Sequence, residues 1–193
     1  MEEKGFYDEE ALRARRDPSP STVYAAENGY INPDDVVLDL GCGTGRDVYY
    51  LRGLGYEATG IDNNKKLDMI KIGKVMFDED LPIYEGDMTA TELPDDSVDV
   101  LFYNNSLHSL GKDRIEEALE EMERLAKPDA RMVVMEFSEK TTNPRIRGHM
   151  DSNAMYAEEL TELLSQRGYE REYLGEIKGD YDKVFTTSIY RIV

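Results

Sequence analysis

Three glycines alternate with small residues in Gly41-Cys42-Gly43-Thr44-Gly45, directly after the apolar run Val36 to Leu40. Without a Cβ, glycine lets a chain turn sharply and bring its backbone against a ligand. Twenty-one residues beyond Gly41, a second strand-like run, Glu57 to Ile61, ends at Asp62. A carboxylate at the tip of the second strand is placed to accept both hydroxyl protons of a ribose. Together the two features point to a nucleotide-like cofactor. For proton transfer the candidate is His108, just beyond the strand-like run Val98 to Tyr103 and on the side of an α/β sheet where substrates lie. A lone loop histidine is also a common structural hydrogen-bonding residue or pocket wall, and that reading stands beside the catalytic one. Arg145, Arg147 and His149 gather cations in the long connection from Thr141 to Asn153. Long ordered connections are often functional, so this loop is expected to cover the pocket and meet an anionic substrate group. Surface arginines paired with nearby carboxylates are the alternative.

The glycine spacing departs from the G-x-G-x-x-G pattern of nicotinamide cofactors: the third glycine comes two positions after the second, with Arg46 following and Asp39 two residues before the first. In this form, Asp39-Leu40-Gly41-Cys42-Gly43-Thr44-Gly45 resembles the first motif of class I S-adenosylmethionine-dependent methyltransferases. Its company carries the resemblance. Gly60-Ile61-Asp62-Asn63 is similar to the ribose-binding acidic motif, Glu85-Gly86-Asp87-Met88 to the adenine-contacting motif, and Val98 to Tyr103 to the fourth strand. Asn104-Asn105-Ser106-Leu107-His108 is similar to the segment that follows that strand in small-molecule enzymes of the ubiquinone-biosynthesis type. Glu121 to Pro128 and Arg131 to Phe137 resemble the fifth helix and strand, so the resemblance covers about residues 33 to 137 closely.

The resemblance implies S-adenosylmethionine as cofactor, S-adenosylhomocysteine as product and a small-molecule acceptor. It places Asp39 and the backbone of Gly41, Cys42, Gly43 and Gly45 around the methionine part, with Arg46 toward its carboxylate. Asp62 and Asn63 fall at the ribose, Asp87 and Met88 at the adenine, and Asn104 below the sulfonium. Methyl transfer from a sulfonium is an in-line displacement with an already activated donor, so the protein's main task is alignment and exclusion of water. No metal ligands are assigned. Tyr7, Tyr24, Tyr103 and Tyr156 would form an aromatic wall for a cationic acceptor, or serve as packing residues. The continuation Gly45-Arg46-Asp47 with Leu51 and Gly55-Tyr56 is also similar to tellurite-resistance and thiol methyltransferases, which keeps a soft nucleophile open. Asn104-Asn105-Ser106-Leu107 lacks the Asn-Pro-Pro-aromatic run of amide- and base-nitrogen enzymes. The rival classes are a noncatalytic cofactor-binding activator subunit and an NAD-dependent oxidoreductase.

Alternating strand and helix patterns must position these residues. Strands are predicted at Val36 to Leu40, Glu57 to Ile61, Pro82 to Tyr84, Val98 to Tyr103, Arg131 to Phe137, Glu170 to Ile177 and Val184 to Ile192. The order β-α-β-α over the first five predicts a parallel sheet with helices on both faces. Lys178 to Lys183 leaves no room for a crossover helix, so the last two strands should pair as an antiparallel hairpin. The predicted fold is therefore α/β, a mostly parallel seven-stranded sheet with a C-terminal antiparallel hairpin and helices on both faces, which resembles the Rossmann-like class I methyltransferase fold. From Asp113 to Ala126 apolar residues recur at three- and four-residue steps opposite glutamates, a helix that Lys127-Pro128 should end. Helices are read at Asp8 to Arg16 and from Ser19-Pro20 to Asn28-Gly29; the resemblance implies that residues 1–30 form a lid closing over the cofactor and 31–193 the methyltransferase domain, the alternative for the first segment being a solvated helix packed on the sheet edge.

At 193 residues the chain supports one sizeable core. No run approaches the length needed to cross a bilayer, and Met1-Glu2-Glu3-Lys4 lacks a signal-peptide pattern; a cytoplasmic monomer or homodimer away from membranes is expected. The single cysteine, Cys42, cannot form an internal disulfide and reads as a small residue beside the cofactor rather than a nucleophile. A net charge of −18, from 41 acidic and 23 basic residues, argues against a nucleic-acid partner. An acidic surface equally suits a salty cell interior, where self-repulsion is screened.

Overall fold

The structure, a computed structural model, describes residues 16–63, 68–77, 81–144, 147–148, 150, 155–179 and 183–192. Its strands are β1 (Val36–Leu40), β2 (Glu57–Asp62), β3 (Ile83–Glu85), β4 (Val98–Asn104), β5 (Ala126–Phe137), β6 (Glu170–Gly179) and β7 (Lys183–Arg191). Its longer helices are α1 (Pro20–Glu27), α2 (Arg46–Gly53), α3 (Met69–Phe77), α4 (Ile115–Leu125) and α5 (Ala157–Gln166). Alternation along β1 shows how the layers arise. Leu38 and Leu40 join a cluster with Leu119 and Met122 of α4 and Leu160 and Leu164 of α5. Val37 faces the opposite cluster, with Ala25 of α1 and Val48 and Leu51 of α2. A strand sends successive side chains to opposite faces, so a strand apolar on both must be covered twice.

The sheet order is β3-β2-β1-β4-β5-β7-β6. Strands β1 to β5 pair in parallel, and β7 runs antiparallel between β5 and β6. The expected terminal hairpin forms, and its second strand is the one that joins the parallel sheet. Chain order reverses between β1 and β4, which puts the loops after both strands at a topological switch point. Open α/β sheets bind ligands outside the carboxyl ends of the strands at such a point.

Two boundaries differ from the predicted ones. The helix expected over Asp113 to Ala126 divides into a 3-10 turn, Lys112–Arg114, and α4, which stops at Leu125. Ala126 is already extended (φ −69°, ψ 127°) and pairs with Val98. Lys127 precedes Pro128, whose ring disfavours a helical conformation in its neighbour, so the helix is lost before the proline itself. Strand β5 then begins at Ala126 rather than Arg131, with an irregularity in its pairing between Val98 and Val100. The helix read from Ser19-Pro20 is α1, with Pro20 in its first turn and Gly29 at φ 76° just beyond its end. The helix predicted at Asp8 to Arg16 lies outside the described residues but for Arg16.

Helix α3 approaches the glycine loop backbone to backbone. A Cβ on Gly73 would stand 2.0 Å from the Thr44 carbonyl oxygen, and that atom cannot rotate away. Gly73→Ala should therefore lower stability by about 1–3 kcal/mol, despite alanine's better helix propensity. A reduced denaturant midpoint at unchanged m-value is the expected readout; a stabilised variant would show that α3 does not rest on the loop.

Candidate functional site

The loop after β1 is held by its neighbour strand. Gly41 and Cys42 donate backbone N–H bonds to the Ile61 carbonyl at 2.8 and 3.1 Å, and Gly45 N–H closes the turn on the Cys42 carbonyl at 2.9 Å. Gly43 N–H donates to Asp62 Oδ2 at 2.9 Å. Gly41, Gly43 and Gly45 have φ of 76°, 56° and 75°, the left-handed region that only glycine occupies readily. A Cβ on Gly41 would lie 2.4 Å from Ser106 Cβ and 3.0 Å from Met88 Cε. Loops after β1, β3 and β4 thus converge on one glycine. Asp62 and Asn63, both partly buried, close β2 beside them.

Beneath the loop lies Asp39, 2% exposed, with neither carboxylate oxygen hydrogen-bonded. Burial pushes its carboxyl well above the usual aspartate range, and the nearby charge of Asp47 pushes it further, while Arg46 opposes the shift. Buried polar atoms are otherwise almost always paired, and Asp39 is an exception directly under the glycine turn. Cys42 sits against Gly60, where a Cβ would meet its Sγ at 2.7 Å. Burial, then the charges of Asp39 and Asp62, push its thiol well above the ordinary range, an environment that disfavours the reactive thiolate.

Asp47, Arg46 and Asn104 form a network with the N-terminal segment. Asp47 accepts from Ser19 N–H at 2.6 Å and from Ser19 Oγ at 2.7 Å, and Arg46 Nη2 donates to Ser19 Oγ at 3.0 Å. Asn104 Nδ2 donates to Thr22 Oγ1 (2.9 Å) and Asp47 Oδ2 (3.2 Å), and its Oδ1 accepts from Ser21 Oγ (2.6 Å). The resemblance places Arg46 and Asn104 toward the cofactor; in the structure their polar ends tie α1 to the mouth of the glycine loop.

Asp87 is bound by its own turn. It accepts from Thr89 N–H and Oγ1 at 3.0 and 2.9 Å and pairs with Arg114 at 3.2 Å. Partial burial raises its carboxyl, but the Thr89 and Arg114 bonds outweigh that and hold it below the usual range. Met88 is buried with Leu40 and Ile61, on the Gly41 side.

His108 lies in a 3-10 turn, Leu107–Ser109, after β4. Its Nδ1 is 2.8 Å from Glu136 Oε2, and Glu136 Oε1 accepts from Leu107 N–H at 2.8 Å. Both side chains are buried, and the Phe137 ring packs edge-on to the imidazole with centroids 5.3 Å apart. Glu136 escaped the sequence reading. Its signal is a lone carboxylate in the apolar run Met132 to Phe137. Ser106 Oγ and Asn105 Oδ1, also buried and unpartnered, line the same turn, Asn105 at φ 54°.

Of the substrate-side candidates, Tyr7, Arg145 and His149 lie outside the described residues. Arg147 Nη1 donates to the carbonyls of Glu139 and Thr141 at 3.2 and 3.3 Å. Tyr103 is fully buried, its hydroxyl on the Ala118 carbonyl at 3.3 Å, and Tyr24 stacks on Tyr173 at 4.1 Å, so those two serve packing. Tyr156 is buried with Phe137 and Met150.

Residues 38–134 match the family described as "Methyltransferase domain". Among similar proteins is the demethylmenaquinone methyltransferase of Renibacterium salmoninarum, 33% identical over 112 residues, which are 58% of this chain and 45% of that protein. The demethylmenaquinone methyltransferase of Clavibacter sepedonicus is 28% identical over 142 residues, 72% of this chain and 56% of that protein. The chain spans about half the length of the curated relatives it matches. A SAM-dependent methyltransferase structure from Methanosarcina mazei superposes with a TM-score of 0.72 at 19% identity, over 92% of this chain and 99% of that one. The 1,6-didemethyltoxoflavin-N1-methyltransferase of Burkholderia thailandensis, with 1,6-didemethyltoxoflavin and S-adenosylhomocysteine bound, superposes with a TM-score of 0.67 at 20% identity, over 96% and 80%. With the glycine loop after β1, the carboxylate closing β2 and the seven-strand order all in place, the chain belongs to the methyltransferase domain family.

Proposed function

We propose that the chain transfers a methyl group from S-adenosylmethionine to a small-molecule acceptor. The observation that carries the reading is Asp39, a buried carboxylate with no partner under three left-handed glycines. A cationic ligand supplies the missing charge partner, and this cofactor presents both an ammonium and a sulfonium. The residues present fit it: Asp39 and the loop from Gly41 to Gly45 for the methionine end, Asp62 and Asn63 for the ribose, Met88 with the Asp87 turn for the adenine. When bound, the cofactor supplies an activated methyl carbon. The chain's own part is to hold its ends, to exclude water through α1 over the loop mouth, and to take a proton from the acceptor at His108.

The demethylmenaquinone relatives support a reduced quinone as the acceptor class. A net charge of −18 fits a small acceptor better than nucleic acid. Among the described residues no helix is long and apolar enough to cross a membrane; the reading further assigns the chain to the cytoplasm, as a monomer or homodimer. Residues 1–30 are assigned the lid and 31–193 the catalytic domain, with the Ser19–Asp47 and Ser21–Asn104 bonds in support. Arg145, Arg147, His149 and Tyr7 remain assigned to the acceptor side. The test is S-adenosylhomocysteine release by the purified chain from S-adenosylmethionine with a panel of quinols, phenols, thiols and amines. Release with one class supports an enzyme; tight cofactor binding without release from any would make the chain a noncatalytic partner.

A further inference from the structure

We infer that Arg114 is a positioning residue for specificity: it orients the Asp87 carboxylate so that the base end of the cofactor site takes a purine with an exocyclic amine and rejects one with a carbonyl there. The inference rests on the methyl-transfer reading of the site. Arg114 ends the 3-10 turn Lys112–Arg114, immediately before α4 and 27 residues from Asp87. Its Nε donates to Glu117 Oε2 at 3.0 Å on the first turn of α4. Its Nη2 reaches the turn after β3, where it donates to Asp87 Oδ2 at 3.2 Å and to Thr89 Oγ1. Thr89 in turn donates its N–H and its hydroxyl to Asp87 Oδ1, at 3.0 and 2.9 Å. Asp87, Thr89 and Arg114 thus close a ring of hydrogen bonds, and a planar guanidinium held by carboxylates on two sides has little room to swing.

The residues on either side of Asp87 touch the rest of the site. Gly86 N–H donates to the Asp62 carbonyl at 3.0 Å, and Met88 Cε lies 3.0 Å from where a Cβ on Gly41 would stand. Each oxygen of a carboxylate has two acceptor positions. Among the described residues Oδ1 has both filled by Thr89, whereas Oδ2 has one filled, by Arg114. The position left on Oδ2 is the one a ligand can meet. Partial burial raises the Asp87 carboxyl, and the bonds from Thr89 and Arg114 more than offset that, so at neutral pH the group is ionised and only accepts. An amine N–H satisfies it. A carbonyl oxygen sets lone pair against lone pair, and a site built to bond an N–H discriminates strongly against an analogue without one. The part of Arg114 is direction: without it Asp87 is held through Oδ1 alone, and Oδ2 loses its fixed aim.

Calorimetric titration of the full chain with S-adenosylhomocysteine and with S-inosylhomocysteine, which has a carbonyl in place of the exocyclic amine, reads the preference as a ratio of Kd values. The wild type should favour the amine-bearing ligand on the order of 100-fold. Arg114→Met keeps the stem and loses the fork; it should cut the ratio about tenfold, through weaker S-adenosylhomocysteine binding. Arg114→Lys, with the charge but not the fork, should fall between the two. Asp87→Asn can offer an N–H to a carbonyl and should bring the ratio to about one. A merely structural role would weaken both ligands alike, so an unchanged ratio in Arg114→Met overturns the positioning role. If that variant does not fold, an unchanged ratio in Arg114→Lys does the same. Equal wild-type affinity for the two ligands overturns this inference and leaves the cofactor reading standing, whereas binding of neither by the folded chain overturns both.

Discussion

Asp39→Asn should weaken cofactor binding while relieving the cofactor-free protein of a pH-dependent cost. An ionised Asp39 has no partner in the fold, and burial holds its carboxyl well above the ordinary range. For a group raised on folding, the protonated form is the one the native state tolerates. Stability is then fully present below the ordinary aspartate range and is lost as pH rises toward and through the raised folded value. Chemical unfolding at a series of pH values should show this slope in the wild type and a flatter one in the asparagine variant. A cation placed beside Asp39 reverses the preference, so cofactor binding should expel its proton. Calorimetric heats should therefore vary with the ionisation enthalpy of the buffer in the wild type and not in Asp39→Asn. Removing one partner of a buried charge pair costs about 3 kcal/mol, on the order of a 100-fold loss of affinity. Equal affinity in the two proteins would mean that Asp39 faces no charge on the ligand.

Gly41→Ala should be more disruptive, because two independent obstacles meet at one atom. At φ 76° a residue with a Cβ is strained by about 1–2 kcal/mol, and the new methyl would stand 2.4 Å from Ser106 Cβ. Relief requires either the glycine loop or the turn before His108 to move, and both line the same site. Binding of S-adenosylhomocysteine should fall below detection, with a loss of stability of about 2–4 kcal/mol. Adding Ser106→Gly removes the collision with Ser106 but neither the strain nor the 3.0 Å approach to Met88 Cε. The double variant should recover part of the stability, whereas a clash elsewhere would leave it as poor as the single one.

The middle of the sheet was legible in the sequence because Val36–Leu40, Val98–Asn104 and the second half of β5 are mostly apolar runs, the first of them ended by a glycine turn. The hairpin was legible from a connection too short for a helix. What escaped depends on contacts between distant parts of the chain. Ser21 and Asn104 are separated by 83 residues, and nothing local in Pro20–Glu27 announces that its first turn bonds Asn104 at the end of β4. Ser19 occupies the N-cap position yet makes no side-chain capping bond: its hydroxyl donates to Asp47 and its oxygen accepts from Arg46 instead of from the helix N–H groups. Glu136 lies 28 residues from His108; only the juxtaposition of β4 and β5 turns a solitary strand acid into the partner of a loop histidine. Asp39 was visible as part of the motif, but its lack of a partner is a property of the packed interior.

The most direct test of the whole account is calorimetric titration of the purified full chain with S-adenosylhomocysteine, with NADH as the control ligand. Saturable binding of the former at one site, with release of a proton and no response to NADH, is the expected result. A cooperatively folded chain that gives no heat with S-adenosylhomocysteine, or that binds NADH instead, would contradict the assignment of the glycine loop, Asp39 and Asp62 to this cofactor.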